Sequence, residues 1–207
     1  SDKIINLLNK MNNVHLWTFG DNTDNHTKWK KVNTIPLAFD SVSYVPIKNK
    51  SYSKYDVCFV GGWADNGFNE KKPIMIKYFS EFMKSGLNCG VFINKNISTE
   101  QESLLLYNSK ITLNIHDAYQ RVLGYDTNER TFKSLGLNGA MVSDKITQLE
   151  RLFPKAMTST NPSDMVSGVK KLLSLSEVEL QNIKNENKQN ILDNHCYTNR
   201  VKTLLEL

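Results

Sequence analysis

The chain has 207 residues, 40% hydrophobic and 23% charged, which is ordinary for a soluble globular protein of one or two domains and allows a core of normal size. Its formal charge of +5 and pI near 9.0 favour an anionic partner, but 26 basic against 21 acidic residues is a mild excess that a nucleotide satisfies as well as a nucleic acid does. Cys58, Cys89 and Cys196 are odd in number and lack metal-ligand spacing, so they read as structural thiols of a reduced, cytoplasmic setting. No apolar run reaches the roughly 20 residues needed to span a bilayer, and no signal-peptide pattern opens the chain. The first residue is Ser1 and not Met, which reads as a processed or recombinant fragment.

The first fifty residues differ from the rest. Ile4, Ile5, Leu7, Leu8 and Met11 have helical spacing, Val14 to Phe19 suits a strand, and residues 20–31 are polar and turn-rich. Too little is present here for a complete domain. The segment from Ser41 to Tyr55, rich in Ser, Lys, Asn and Tyr, reads as a linker, with a boundary near residue 52. The expected organisation is therefore residues 1–52 as a partial amino-terminal segment and connector, followed by residues 53–207 as an α/β domain.

From Tyr55 the chain alternates apolar strands with amphipathic helices, the signature of a Rossmann-like parallel sheet covered on both faces. Strands are predicted over Asp56 to Val60, Cys89 to Ile93, Ile111 to Ile115, Ala140 to Ser143 and Ala156 to Thr158. Helices are predicted over Pro73 to Ser85, from Ser98 to about Tyr107, Arg130 to Leu137, a turn at Gln148 to Phe153, and from Asn161 to about Leu173. Ser98 with Gln101 and Ser176 with Glu179 form capping boxes, and Asn161 before Pro162 is a helix start. The tail from Ser176 to Leu207 carries an apolar stripe and predicts two helices meeting near His195.

Residues 125–140 read as a polar loop, a helix and a buried strand, which sets a helix start beside a fixed cation. Helix-terminal N–H groups and the guanidinium fork suit a phosphate, so Asn128, Arg130 and Thr131 are candidate anion contacts. Gly61 and Gly62 follow the first strand of the sheet, where paired glycines let a backbone approach a ligand closely or simply turn. Lys71 and Lys72 stand before a helix, either within reach of a phosphate or as solvated lysines. Asn114 and His116 close a strand at its carboxyl end; His116 could donate to a phosphate, face a sugar, or be a hydrogen-bonded histidine at a strand end. For His195, Tyr197 and Arg200, packing and capping of the terminal helix is the reading preferred to catalysis.

Four stretches occur in one order: Tyr55-Asp56-Val57-Cys58-Phe59-Val60-Gly61, Asn108-Ser109-Lys110-Ile111-Thr112-Leu113-Asn114, Asn128-Glu129-Arg130-Thr131-Phe132, and His195-Cys196-Tyr197-Thr198-Asn199-Arg200-Val201. In this the chain resembles the spore-protein-like, CgeB-type group of GT-B glycosyltransferases, and residues 35–40 resemble that family's interdomain hinge. The resemblance implies a nucleotide-sugar donor site in a carboxyl-terminal Rossmann-like domain, with a further amino-terminal domain or partner chain supplying acceptor contacts. Gly61, Gly62, Asn114, Asn128, Arg130, Thr131 and Lys133 are then the donor and phosphate contacts, and His116 and Glu129 the catalytic candidates. Lys133 departs from the family, which usually has a Glu there to pair with ribose hydroxyls.

The function expected is transfer of a sugar from a nucleoside diphosphate sugar to an unknown acceptor, or donor binding without transfer. No cofactor is expected, and the lack of an Asp-x-Asp motif agrees with a metal-independent site. A nucleic-acid partner finds little support, because Trp17, Trp29 and Trp63 are scattered and no nucleic-acid motif is present.

Overall fold

The computed structural model describes residues 1–63 and 70–206. The amino-terminal segment forms helix α1 (Asp2–Leu8), strand β1 (Leu16–Thr18) and strand β2 (Val32–Thr34). The two strands pair in parallel with Leu16 opposite Val32, and both are only partly buried. This piece is fastened to the rest by polar contacts. Arg151 donates from Nε and Nη2 to Asp21 at 2.7 and 2.8 Å, and Gln148 Nε2 donates to the Phe19 carbonyl at 2.9 Å.

The main unit runs β3 (Val57–Gly61), α2 (Lys71–Lys84), β4 (Cys89–Ile93), α3 (Thr99–Asn108), β5 (Ile111–Asn114), α4 (Ala118–Leu123) and α5 (Glu129–Leu137). It continues through β6 (Met141–Asp144), α6 (Thr147–Leu152), β7 (Met157–Ser159) and α7 (Pro162–Leu173), and ends with α8 (Glu177–Asn194) and α9 (Tyr197–Leu205). Its five strands are all parallel, in the order β4-β3-β5-β6-β7. The predicted Rossmann-like α/β fold is present.

Side-chain alternation along β3 explains why the strand is apolar throughout. Val57 and Phe59 point into one cluster with Met75, Tyr78 and Phe82 of α2 and Met165 and Val169 of α7. Cys58 and Val60 point into the opposite cluster, with Leu106, Phe132, Leu135, Leu149 and Ile191 from α3, α5, α6 and α8. A strand sandwiched between two helix layers has no polar face to present. Each large side chain so buried contributes about 1.5–3 kcal/mol.

Both capping boxes form, with Ser98 accepting from the Gln101 N–H and Ser176 from the Glu179 N–H, each at 3.2 Å. The predicted strands and helices are present with ends shifted by up to two residues, as fraying and caps allow. Helix α4 was not anticipated. Its signal is the capping box of Asp117 with Gln120, and its six residues are too few to show a period.

The connector is laid on the domain and does not separate from it. Tyr44, Tyr52 and Tyr55 pack against the cluster that holds Cys58, Asn108 Nδ2 donates to the Ile47 carbonyl at 2.7 Å, and the Asn49 N–H donates to Asn108 Oδ1 at 2.8 Å. Upstream, Phe39 is buried in that same cluster. Its N–H donates to the His195 carbonyl and its own carbonyl accepts from the Tyr197 N–H. Arg200 donates to the carbonyls of Pro36 and Leu37 at 2.9 and 3.2 Å. The carboxyl-terminal segment thereby clasps residues 36–39, which is the packing role expected of His195, Tyr197 and Arg200.

Candidate functional site

The strand order creates one special crevice. The chain leaves β3 for β4 on one side and then returns to β5 on the other, so the connections diverge between the carboxyl ends of β3 and β5. Open α/β sheets bind ligands at such a switch point. Arg130, in the first turn of α5, lies across it.

The guanidinium of Arg130 is fixed by the ends of both strands. Nε donates to the Val60 carbonyl at 2.8 Å, and Nη1 donates to Asn114 Oδ1 at 3.2 Å and the Ile115 carbonyl at 3.3 Å. The Phe59 ring lies beneath it, 4.6 Å from Cζ to the ring centroid. Nη2 has no hydrogen bond among the described residues. It sits beside Gly61, where any Cβ would overlap it and would come within 2.8 Å of Cζ. Burial lowers the pKa of Arg130, while Glu102, Asp117, Asp144 and Glu129 oppose that shift and hold the cation. An arginine remains charged in such surroundings.

Arg130 lines a cavity of about 380 Å³ together with Gly61, Gly62, Asn94, Glu102 and Lys133. Four of the predicted contacts, Gly61, Gly62, Arg130 and Lys133, are therefore brought to one wall. Lys133 does not project freely, because its Nζ is 2.9 Å from Glu102 Oε1 and 3.3 Å from the Tyr44 hydroxyl. Burial opposes its charge, yet Glu102 outweighs that and raises its pKa.

Behind the wall runs a buried polar chain. Asn114 Nδ2 donates to Thr131 Oγ1 at 2.8 Å, and Thr131 shares a 2.6 Å hydroxyl contact with Thr127. Thr127 meets His116 Nε2 at 2.8 Å, and His116 Nδ1 lies 2.6 Å from Asp144 Oδ1. Asp144 accepts from Arg121 at 2.9 Å, and Arg121 also donates to the Tyr78 hydroxyl at 3.1 Å. Burial pushes the Asp144 carboxyl up, but His116 and Arg121 outweigh that and lower its pKa.

Asn114, His116 and Thr131 are thus fully buried, and each spends its polar atoms on protein partners. They position the wall and do not face the cavity. Asn128 caps α5, its Oδ1 accepting from the Thr131 N–H at 3.2 Å, so that helix-start donor is occupied. Glu129 is exposed. Lys71 is not a solvated lysine: it is buried and pairs with Asp117 at 2.7 Å, and burial followed by the charge of Arg130 lowers its pKa.

Sequence reasoning missed Glu102, Asn94, and Thr127 and Asp144, the two partners of His116. Asn94 has φ of 49°, its N–H donates to the Gly61 carbonyl at 3.0 Å, and its Oδ1 accepts from the Trp63 N–H at 3.1 Å. Its signal was an Asn directly after a strand, where the left-handed region is tolerated. Glu102 carried no signal, since an acidic residue in the first turn of a helix is ordinary.

A sequence profile of glycosyl transferase-like proteins matches residues 50–206 of the chain. No curated protein matches it in sequence. Among solved structures, the N-terminal domain of trehalose-6-phosphate phosphatase from Candida albicans is similar, at 12% identity, covering 85% of this chain and 50% of that one, with a TM-score of 0.58. This chain thus spans about half the length of that structure, and identity so low speaks for the fold alone. The profile covers more than half of the chain and takes in β3 to α9 with the whole of the Arg130 wall, and the chain belongs to the glycosyl transferase-like family.

Proposed function

We propose that this chain is the donor-binding part of a GT-B glycosyltransferase related to the CgeB-type group, acting on a nucleoside diphosphate sugar. One observation carries the reading: a guanidinium anchored by two strand ends at the switch point, with one nitrogen left beside the bare backbone of Gly61. In sugar transfer, negative charge grows on the leaving diphosphate. A cation already fixed at that place stabilises it without reorganising during the reaction. The bare backbone of Gly61 leaves room for that guanidinium at the cavity wall, and the acceptor would be supplied through a further domain or partner chain.

Titration calorimetry with UDP, GDP, CDP and ADP, and with their sugars, tests the reading. Micromolar to millimolar binding of at least one, lost in Arg130→Lys, is expected. Absence of binding by all of them would overturn it.

A non-transferring donor-binding module is the second reading. It is favoured by His116, which is enclosed between Asp144 and Thr127 and offers no base to the cavity. Transfer or hydrolysis of the bound sugar nucleotide, followed by release of the free diphosphate, separates the two.

A further inference from the structure

The wall of the Arg130 cavity contains a carboxylate that a purely anion-binding site would exclude. Glu102 reaches from α3 to α5, where Oε1 lies 2.9 Å from Lys133 Nζ and Oε2 accepts from the Tyr44 hydroxyl at 2.9 Å. The two charged side chains are 13% and 14% exposed. Burying such a pair costs desolvation, and well-packed apolar residues would hold α3 to α5 equally well or better. The pair therefore gives the fold little that packing would not.

An ionised carboxylate offers about four acceptor positions, and Tyr44 and Lys133 use two of them. The remaining capacity faces a cavity shared with Arg130, Gly61 and Gly62. A phosphate would be repelled by it. Neutral hydroxyl donors would be accepted, and two adjacent hydroxyls match the two oxygens of one carboxylate.

Phe92, Lys95 and Ile97 line this cavity and also a neighbouring cleft of about 620 Å³, whose other walls include Tyr52, Tyr55 and Leu105. A cation wall, a carboxylate and an aromatic cleft are thus contiguous. That succession suits a ligand with an anion, a diol and a flat ring in one molecule.

We propose that Glu102, held in place by Lys133 and Tyr44, accepts the ribose diol of the bound nucleotide and selects ribonucleotides over 2′-deoxyribonucleotides. The inference rests on the donor-site reading given above. Lys133 and Tyr44 act as positioning residues, since both bind the carboxylate.

The test measures affinities of the intact chain for UDP, GDP, CDP and ADP, for the 2′-deoxy form of each, and for inorganic pyrophosphate. The ribonucleotide that binds should do so about tenfold or more tighter than its deoxy form, the scale of a hydrogen bond to a charged group. In Glu102→Gln that ratio should fall toward unity while pyrophosphate binding does not weaken. Equal affinity for the ribo and deoxy forms by the wild-type chain, with pyrophosphate still bound, overturns the role of Glu102 and leaves the donor site standing. So does a ratio unchanged in Glu102→Gln. Failure of the wild-type chain to bind any nucleotide or pyrophosphate overturns the donor site itself. Should Glu102→Gln fail to fold, Tyr44→Phe, which removes one of the two bonds that place the carboxylate, takes its place: the ratio should fall there too with pyrophosphate binding kept, and an unchanged ratio overturns the role of Glu102.

Discussion

Gly61 and Arg130 are complementary: the guanidinium of Arg130 occupies the space that a Cβ on Gly61 would fill, at the carboxyl end of β3. The glycine is thus explained by a side chain 69 positions further along, and the arginine by the strand carbonyl it grips. Gly61→Ala should displace the guanidinium while leaving the charge in the chain. Nucleotide affinity should fall about tenfold or more, or at least about 1.4 kcal/mol. Combined with Arg130→Ala the losses should be less than additive, because both changes remove one arrangement. Calorimetric titration of the two single variants and the double variant checks this.

Arg130 binds protein as well as facing the cavity, which alters what its removal does. From sequence, Arg130→Ala would weaken binding with little effect on folding. The structure shows the side chain satisfying Val60, Asn114 and Ile115, so alanine leaves those acceptors without their donor. A stability loss of about 1–3 kcal/mol is expected, alongside a binding loss of about 1.5–3 kcal/mol. Urea unfolding measures the first and nucleotide titration the second; unchanged urea stability would show that the three bonds are dispensable.

Gly136 sits inside α5, where alanine would normally add about 1 kcal/mol of stability. The Phe39 ring lies flat against it, and a Cβ there would meet three ring carbons at 2.9 Å. Phe39 is buried and held by its backbone bonds to His195 and Tyr197, so it cannot give way cheaply. Overpacking costs about 1–3 kcal/mol and should win. Gly136→Ala is therefore expected to destabilise, and Phe39→Leu should recover part of the loss in the double variant. A stabilised Gly136→Ala in urea unfolding would contradict this packing.

His195 provides a pH test. It packs against Phe132 and Phe153, and burial, followed by Arg200 and Arg151, pushes its pKa down from 6.5 to about 4. Between those values the unfolded chain binds the proton and the folded chain does not, so stability falls as pH drops from 6.5 toward 4. The contribution at pH 4.5 is up to about 2.5 kcal/mol, less whatever solvent screening removes. His195→Gln should flatten that part of the profile relative to the parent chain. Asp144, whose pKa is lowered, adds a loss at more acidic pH in both proteins, so comparing the two isolates the histidine. Parallel profiles between pH 7 and 4.5 would show that His195 titrates normally.

Local order along the chain determined the fold class. The apolar runs at residues 57–60, 111–113 and 141–142, the capping residues Ser98, Asn161 and Ser176, and the helix between each pair of strands are enough for a parallel sheet, because each acts within a few residues of itself. The same locality marked Arg130 and Gly61 as unusual. Tertiary structure decided which polar residues face the cavity. Asn114, Thr131 and His116 look like ligands in sequence, yet they lie behind the wall, since a buried amide, hydroxyl or imidazole must find partners and these found one another. Glu102 looks like an ordinary helix-start acid, and becomes part of the site only because α3 and α5 pack together on one face of the sheet. The connector shows the same division: composition registers its tyrosines together with its polar residues, but only the tertiary structure shows that Tyr44, Tyr52 and Tyr55 pack against the core cluster.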